Sequence, residues 1–224
     1  MGAVHFSIDE EFVKFLVREL PLKLFVETGT FRGDTLELAR KCFGECQSAE
    51  LSPQLFADAQ KRFANVAGIE LFCGPSPQFL GEHRERHQQT PTLFWLDAHW
   101  CVADHTGGED SQSPLLGELD AIASLHPDSV VMIDDARLYL CAPPKPHRLG
   151  DWPDLHAIVE ALLRLSSNHR MMVCNDVIVF YPARLQTKIS EFVQGRGVDW
   201  LAIARAAQKH EKSKQRKTLW PWGR

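Results

Sequence analysis

The chain has 224 residues, which suits one α/β domain with a buried core and is short for two full domains. Hydrophobic residues make up 44% and charged residues 24%, as in ordinary globular proteins, and the net charge of −4 gives no sign of a nucleic-acid partner. No apolar run approaches the roughly 20 residues that a membrane span needs. Charged side chains interrupt the first 20 residues, which favours an amphipathic helix over a secretory leader. We therefore expect a cytoplasmic protein without a transmembrane segment.

Short apolar runs of strand length alternate with segments of helical periodicity along most of the chain. The sequence predicts strands at 22–27, 47–51, 69–73, 92–97, 129–134, 171–174 and 177–181. It predicts an N-terminal helix at 1–20 and further helices at 34–43, 53–64, 77–86, 114–125, 153–165 and 185–207, the last broken near 195–197. Alternation of this kind is typical of a doubly wound sheet with helices on both faces.

The last two predicted strands are separated by only Asn175 and Asp176. A two-residue polar turn between apolar runs is a hairpin signal. The expected fold is therefore α/β and Rossmann-like, with seven mostly parallel strands and an antiparallel final hairpin strand.

Basic residues are concentrated near the C-terminus, where 205–224 hold seven Lys or Arg side chains and one acid. We predict a single domain at 1–208 followed by a basic tail at 209–224. A solvated terminus is one interpretation of the tail, and contact with an anionic acceptor, a membrane surface or a partner chain is the other. Both interpretations stay open.

A glycine turn follows the first predicted strand. Gly29 allows the chain to turn sharply and to approach a ligand closely, and Gly33 begins a helix whose amide groups can receive an anion. The spacing is G-x-x-x-G and differs from the dinucleotide pattern G-x-G-x-x-G. Taken alone, these glycines are equally consistent with ordinary turn chemistry.

The ends of the second and third predicted strands carry further polar groups. Glu50 lies 23 residues after Glu27, where an acid can accept the hydroxyl groups of a ribose. A tight turn at Gly74, Pro75 and Ser76 follows the third strand and can wall an adenine pocket. A solvated glutamate and a plain Gly-Pro turn are the alternatives, but the combination favours a cofactor that contains a nucleoside.

Carboxylates end the next two predicted strands, with Asp97 after the fourth and Asp134 and Asp135 after the fifth. Adjacent strands would bring these groups together, and their mutual repulsion requires a compensating charge. Oxygen ligands of this type suit Mg²⁺, Ca²⁺ or Mn²⁺. In one alternative, the acids cap the following loop or helix. In another, the counter-charge is one of three basic side chains, Arg137, Lys145 or Arg148.

These glycine and acid motifs resemble the cofactor motifs of class I S-adenosylmethionine-dependent methyltransferases, and the resemblance covers nearly the whole chain. It implies that S-adenosylmethionine (SAM) is the cofactor. The methionine end would lie at the glycine turn, the ribose at Glu50 and the adenine beside Ser76. The implied cofactor-binding residues are Glu27, Gly29, Thr30, Gly33, Glu50, Ser76 and Asp97.

Asp97 and the pair Asp134-Asp135 resemble the acids of metal-dependent O-methyltransferases of the catechol and macrolide-sugar types. The segments 94–100, 114–119 and 133–137 resemble those of related uncharacterised bacterial proteins. The resemblance implies that Asp97, Asp134 and Asp135 bind Mg²⁺ or another divalent cation. It also implies O-methylation of a sugar or another polyhydroxylated small molecule. The chain departs from the sugar enzymes at Ala98 and His99. With Asp97 as its catalytic neighbour, His99 is the candidate general base because histidine titrates near neutral pH; a structural or metal-binding histidine is the alternative.

Two long loops, 101–113 and 138–152, are expected to form the acceptor pocket, and the first could act as a lid or be an exposed connector. The expected partner is a small-molecule acceptor, no nucleic acid is expected, and homo-oligomerisation is left open. Two other functions remain: a metal-dependent enzyme that does not transfer methyl groups, such as a hydrolase or hydroxylase-like relative, and a non-catalytic binding protein.

Overall fold

The computed structural model describes residues 8–101, 111–197 and 199–218, and it contains a seven-stranded mixed sheet. The strands are β1 (Leu24–Thr28), β2 (Glu45–Glu50), β3 (Ile69–Cys73), β4 (Thr92–Leu96), β5 (Val130–Ile133), β6 (His169–Cys174) and β7 (Val177–Pro182). Their order is β3-β2-β1-β4-β5-β7-β6, and neighbouring strands are parallel except for the two pairs that β7 makes. The predicted fold class is confirmed, including the antiparallel hairpin strand.

Helices flank the sheet on both faces. Within the described residues they are α1 (Glu10–Glu19), α2 (Asp34–Ala39), α3 (Pro53–Phe63), α4 (Ser76–Glu82), α5 (Arg84–Gln89), α6 (Leu115–Ile122), α7 (Arg137–Leu140), α8 (Leu155–Leu165), α9 (Gln186–Gln194) and α10 (Trp200–Thr218). The prediction of one helix at 77–86 is wrong, because the chain bends between α4 and α5. The bend is at His83 (φ −101°, ψ 6°), whose ring Nδ1 lies 2.9 Å from the carbonyl oxygen of Phe79.

The C-terminal part of the chain also differs from its prediction. The expected break near 195–197 separates α9 from α10, but α10 continues past residue 207. It therefore crosses the boundary expected between a domain at 1–208 and a tail at 209–224, a division that stays a prediction. Among the described residues, no helix combines the length and the apolar character needed to cross a membrane.

Each face of the sheet has its own hydrophobic layer because side chains alternate along a strand. In β4, Leu93 and Trp95 pack in the layer that includes α1, α2, α3 and α9, whereas Phe94 and Leu96 pack in the layer of α4, α6 and α8. All four side chains are at most 2% exposed. Burial on both faces explains why these strands have nearly continuous apolar sequences.

Helix α1 belongs to the first of these layers. Asp9 caps it by accepting hydrogen bonds from two backbone amides of its first turn, at 2.9 and 3.2 Å. Phe15 stacks on Phe192 of α9 with 4.4 Å between ring centroids. Arg196, which follows α9, pairs with Asp9 at 3.0 Å. These contacts join α1 to α9 on one face of the sheet.

The carboxyl ends of β1, β2, β4 and β5 lie side by side, since β2-β1-β4-β5 are parallel neighbours. Gly29, Glu50, Asp97 and Asp134 follow or end these strands and therefore lie at the same end of the sheet. Open α/β sheets bind their ligands at this end.

Candidate active site

Gly29 follows β1 and packs its backbone against the end of β4. Its φ of 82° lies in the left-handed region that favours glycine. A Cβ atom here would lie 2.4 Å from the carbonyl oxygen of Asp97, so another residue would force the backbone to move. The amide of Gly29 donates to the carbonyl oxygen of Ala49 at 2.9 Å. The turn thus joins the ends of β1, β2 and β4.

Thr30 and Gly33 complete this turn. Thr30 Oγ1 lies 2.6 Å from Ser48 Oγ, and the carbonyl oxygen of Thr30 accepts from the amide of Gly33 at 2.7 Å. Gly33 has a φ of 79°, and a Cβ atom there would meet the ring of Phe63 at 2.7 Å. Because glycine offers no side chain to cap α2, the first-turn amides of this helix depend on other acceptors.

Glu27 is buried beside the turn, with 1% exposure, and accepts a hydrogen bond from Ser48 Oγ at 2.5 Å. Burial raises the pKa of Glu27 well above its ordinary value; the Ser48 hydrogen bond opposes the rise, and the charges of Asp97 and Glu50 add to it. A role for Glu27 at the methionine end of SAM stays a prediction.

Glu50 ends β2 and accepts two backbone hydrogen bonds. The amide of Phe31 donates to Oε2 and the amide of Ser52 donates to Oε1, both at 2.8 Å. The carbonyl oxygen of Glu50 also accepts from the amide of Gly74 in the turn after β3, at 2.9 Å. Each carboxylate oxygen has a second lone pair, so Glu50 can hold the glycine turn and still accept ribose hydroxyl groups.

Ser76 begins α4 and lies against a buried acid, Glu118 of α6, to which no role was given from the sequence. Ser76 is 5% and Glu118 is 1% exposed. Burial raises the pKa of Glu118, and hydrogen bonds from Ser76 and Thr28 oppose the rise. Glu118 Oε1 has no hydrogen-bond partner in the described part of the chain. The sequence feature that could have identified Glu118 is the position of an acid on the apolar face of a predicted helix.

His99 lies between two of the predicted carboxylates. Its Nε2 is 2.9 Å from Asp135 Oδ2, and its Nδ1 is 3.4 Å from Asp97 Oδ1. Burial by itself lowers the pKa of His99, but the hydrogen bond with Asp135 and the charges of Asp97 and Asp135 outweigh it and raise the pKa to about 9. This pKa favours the protonated ring at neutral pH, in which both nitrogens are donors. A raised pKa disfavours His99 as a proton acceptor at neutral pH, and its catalytic role stays a prediction.

Asp134 directly follows β5, and it is 6% exposed. Its Oδ1 has no hydrogen-bond partner among the described residues. Burial raises the pKa of Asp134, and the charges of Asp97 and Asp135 raise it further. Burial also raises the pKa of Asp97, although the charge of His99 opposes that rise. Both carboxyls would be stabilised by a cation, a proton or a hydrogen-bond donor.

Arg137 supplies a counter-charge to Asp135. Its Nη1 lies 2.6 Å from Asp135 Oδ1 and also contacts Asp176 in the β6–β7 turn. The backbone amide of Arg137 donates to Asp176 Oδ1 at 2.7 Å. Arg148 instead pairs with Asp151 at 2.5 Å. Arg137 thus supplies a counter-charge to one of the three acids, Asp135.

The metal site predicted at Asp97, Asp134 and Asp135 is not confirmed. Within the described residues, no group of three or more His, Cys, Asp or Glu side chains is arranged to hold a metal ion. Asp135 has a left-handed backbone (φ 54°), and its two carboxylate oxygens are engaged by His99 and Arg137. Asp97 also has contacts at both oxygens, with His99 at 3.4 Å and Trp95 at 3.3 Å, whereas Asp134 Oδ1 has no hydrogen-bond partner among the described residues.

A cavity of about 340 Å³ lies between the start of α6 and the segment 150–153. Trp152 lines it, with its ring centroid 5.7 Å from that of His99. Trp152 Nε1 and the backbone amide of Arg148 donate to Gln112 Oε1 at 3.1 and 2.7 Å. These bonds join the two predicted acceptor loops, 101–113 and 138–152, although 102–110 lie outside the described residues.

Comparison with known proteins identifies the fold. No protein-family model matches the sequence, and no curated protein matches it. Solved structures do match. A proposed caffeoyl-CoA O-methyltransferase from Staphylococcus aureus superposes with a TM-score of 0.55 and 11% identity, over 78% of this chain and 84% of that protein.

Two further similar structures hold ligands. The O-methyltransferase TomG from Streptomyces achromogenes, involved in tomaymycin synthesis and bound to SAM, gives a TM-score of 0.54 and 16% identity over 77% of this chain and 78% of TomG. A proposed methyltransferase from Streptococcus mutans, in complex with S-adenosylhomocysteine (SAH), gives a TM-score of 0.53 and 10% identity over 77% of this chain and 96% of that protein. At these identities the likeness establishes architecture and not substrate. The chain therefore has the Rossmann-like fold of the class I SAM-dependent methyltransferases.

Proposed function

We propose that this protein is a SAM-dependent methyltransferase that methylates an oxygen of a sugar or another polyhydroxylated small molecule. The observation that carries the proposal is the meeting of Gly29, Glu50 and the Asp97–His99 pair at the carboxyl ends of adjacent strands. The likeness to TomG, an O-methyltransferase bound to SAM, supports both the cofactor and transfer to oxygen.

The ends of β1, β2 and β3 fit an adenosyl amino acid. Glu50 retains lone pairs for ribose hydroxyl groups, and Gly29 lets the main chain approach a ligand closely. SAM, when bound, supplies an electrophilic methyl group. The protein has to bind it, exclude water and align the acceptor oxygen for in-line transfer.

We assign Asp97 and His99 as the catalytic pair. The acceptor hydroxyl must lose its proton as its oxygen is methylated. Since the pKa of His99 favours the protonated ring at neutral pH and the ring lies 3.4 Å from Asp97, Asp97 is the proton acceptor and His99 stabilises its carboxylate. Asp135 acts through His99 as a positioning residue, because its hydrogen bond fixes the ring.

Assistance by Mg²⁺ is a finer hypothesis for the same site. It is supported by the unpartnered Oδ1 of Asp134 and by the raised pKa values of Asp97 and Asp134, since a cation would stabilise both carboxylates. Asp97 and Asp134 would hold the ion, and Asp135 would stay with His99. A bound divalent cation lowers the pKa of a coordinated hydroxyl group.

Calorimetric titration tests the cofactor. SAM and SAH would be titrated into the wild type, Glu50→Ala and Glu45→Ala, each with and without Mg²⁺. Glu45 is the matched control because it begins β2, at the opposite end from the site, and pairs with Arg86 at 2.5 Å. We expect Glu50→Ala to weaken binding at least about tenfold, and Glu45→Ala to leave it unchanged.

The outcomes separate the competing functions. Binding of neither ligand to the wild type, under either metal condition, would overturn the proposal and favour a metal-dependent hydrolase, a hydroxylase-like enzyme or a binding protein. If SAM binds, transfer of a labelled methyl group to a panel of sugars and catechols tests the acceptor class. A product with a methylated nitrogen in place of oxygen would contradict the O-directed assignment.

A further inference from the structure

We propose that Glu118 accepts a hydrogen bond from an amino group of the bound cofactor. This inference rests on the proposed function, because it concerns the same cleft. Glu118 is 1% exposed, and its Oε1 has no hydrogen-bond partner in the described part of the chain. A buried carboxyl oxygen without a donor is costly, so a donor is expected from elsewhere.

The neighbours of Glu118 place it beside the proposed cofactor site. Burial raises the pKa of Glu118, and hydrogen bonding from Ser76, which begins α4, and from Thr28, which ends β1, lowers it. The charges of Asp97 and His99, beyond the end of β4, also act on it. Three separate elements that line the proposed cofactor site therefore converge on this one carboxyl.

Packing gives no reason for an acid at this position. The neighbouring inward residues of α6, Leu115, Leu119 and Ile122, are all buried and apolar. A buried carboxyl oxygen without a donor carries an uncompensated desolvation cost, which an apolar side chain of similar volume avoids. The carboxyl of Glu118 thus costs stability, which is the expected signature of a group kept for a ligand.

Because the ribose hydroxyl groups of SAM are already assigned to Glu50, we take the donor to be a nitrogen group. SAM carries two, the exocyclic amino group of adenine and the ammonium group of methionine. The contact with Ser76 lies toward the adenine end, and the contact with Thr28 lies toward the glycine turn at the methionine end. The shared chemistry is an N–H donor, and ligands that lack one group or the other distinguish the two sources.

The test uses Glu118→Leu and Glu118→Gln in the full chain. Calorimetry would compare SAH with 5′-methylthioadenosine, which lacks the amino acid, and with S-inosylhomocysteine, which has an oxo group in place of the adenine amino group. We expect Glu118→Leu to weaken SAH binding by roughly ten- to a hundredfold. Thermal unfolding should show a midpoint equal to or above that of the wild type, which a merely structural role would not give.

The analogues then identify the donor. If Glu118→Leu loses affinity for 5′-methylthioadenosine but not for S-inosylhomocysteine, the donor is the adenine amino group. If it loses affinity for S-inosylhomocysteine but not for 5′-methylthioadenosine, the donor is the ammonium group. Equal affinity of wild type and Glu118→Leu for SAH would overturn the proposal, whereas a wild type that does not bind SAH would overturn the proposed function instead.

Glu118→Gln keeps the test usable if Glu118→Leu does not fold. Glutamine retains an acceptor oxygen but no charge, so SAH affinity should lie between those of the wild type and the leucine variant. The glutamine amide can also donate to an oxo group. If the adenine amino group is the donor, Glu118→Gln should therefore bind SAH and S-inosylhomocysteine with more similar affinities than the wild type does. Unchanged affinities of Glu118→Gln for all three ligands would also overturn the proposal.

Discussion

The two halves of the candidate site hold their carboxylates in different ways. The cofactor half comprises the Gly29 turn, Glu50 and Ser76, at the ends of β1, β2 and β3. There Glu50 is held by two backbone amides. The acid half comprises Asp97, His99, Asp134 and Asp135, at the ends of β4 and β5. There Asp135 is held by the side chains of His99 and Arg137.

This difference has physical consequences. Backbone donors do not titrate, and their positions depend on dihedral angles that a single Cβ atom can disturb. Side-chain ion pairs depend on protonation, and their partners come from distant parts of the chain. The cofactor half should therefore be sensitive to substitution of its glycines and insensitive to pH near neutrality, and the acid half should show the opposite behaviour.

Gly29→Ala gives the largest expected effect and tests the cofactor half. The new Cβ atom would lie 2.4 Å from the carbonyl oxygen of Asp97, at a φ of 82°. We expect a loss of roughly 2–4 kcal/mol in the free energy of unfolding and of SAH binding by about a hundredfold or more. Denaturant unfolding and calorimetry measure the two quantities.

Gly44→Ala is the matched control for this substitution, because a Cβ atom at Gly44 meets nothing within 4 Å. It should change the free energy of unfolding by no more than about 1 kcal/mol. If the two variants behave alike, the close approach of the Gly29 turn to β4 is not what holds the cofactor half together.

The cofactor half was largely predictable from the sequence because its signals are local. Strand ends were predicted to within a few residues by apolar runs, and the glycine spacing marked the turn after β1. Glu50 followed from its distance along the chain. Its amide partners are also close in sequence, 19 residues away at Phe31 and 2 at Ser52.

The acid half was only partly predictable, because its contacts join distant segments. His99 and Asp135 are 36 residues apart, and Arg137 and Asp176 are 39 apart. The sequence placed the acids at the strand ends but could not show the left-handed backbone of Asp135, which brings its carboxylate to His99. Glu118 was missed for the same reason, since its partners come from β1 and α4.

Asp135→Asn tests the electrostatics of the acid half. Without the carboxylate charge, the pKa of His99 should fall from about 9 toward the ordinary value near 6.5. NMR titration of the His99 ring measures this directly. Asp120→Asn is the control, because Asp120 is an exposed residue of α6 that pairs with Arg164. An unchanged His99 titration in Asp135→Asn would show that the Nε2 contact does not control its charge.

The same ion pair predicts how stability depends on pH. The folded protein holds the His99 proton more tightly than the unfolded chain, so this stabilisation is complete below about pH 6.5 and is lost as the pH rises through about 9. The raised pKa of Asp134, about 8, acts in the same direction in the lower part of this range. The raised pKa of Asp97, about 6, lowers stability only as the pH rises toward 6 and adds little above pH 6.5. We expect the free energy of unfolding to decrease by roughly 1–3 kcal/mol from pH 6.5 to 9.

Denaturant unfolding at several pH values across that range checks this prediction. Asp135→Asn should flatten the decrease, because its His99 titrates nearly as in the unfolded chain. Stability that rises with pH in the wild type would contradict the assignment of His99 as a buried cation.

Asp176→Asn should have the smallest effect and shows where the acid half ends. Asparagine can still accept the backbone hydrogen bond of Arg137 through Oδ1, at 2.7 Å in the native protein, but loses the charge that faces the guanidinium. Arg137 is 45% exposed, so we expect a loss of only about 1 kcal/mol in the free energy of unfolding. Asp58→Asn, which removes an exposed pair with Lys61, should change it by less than about 0.5 kcal/mol.

The pKa of His99 makes Asp176→Asn informative. Arg137 keeps its own contact with Asp135 at 2.6 Å, so the pKa of His99 should stay near about 9 by NMR. A fall as large as that in Asp135→Asn would mean that the hairpin turn sets the charge of the catalytic pair through Arg137. The acid half would then extend across β5 to the β6–β7 turn. An unchanged pKa would confine it to the ends of β4 and β5, with Arg137 as its boundary and Asp176 as a support for the backbone after β5.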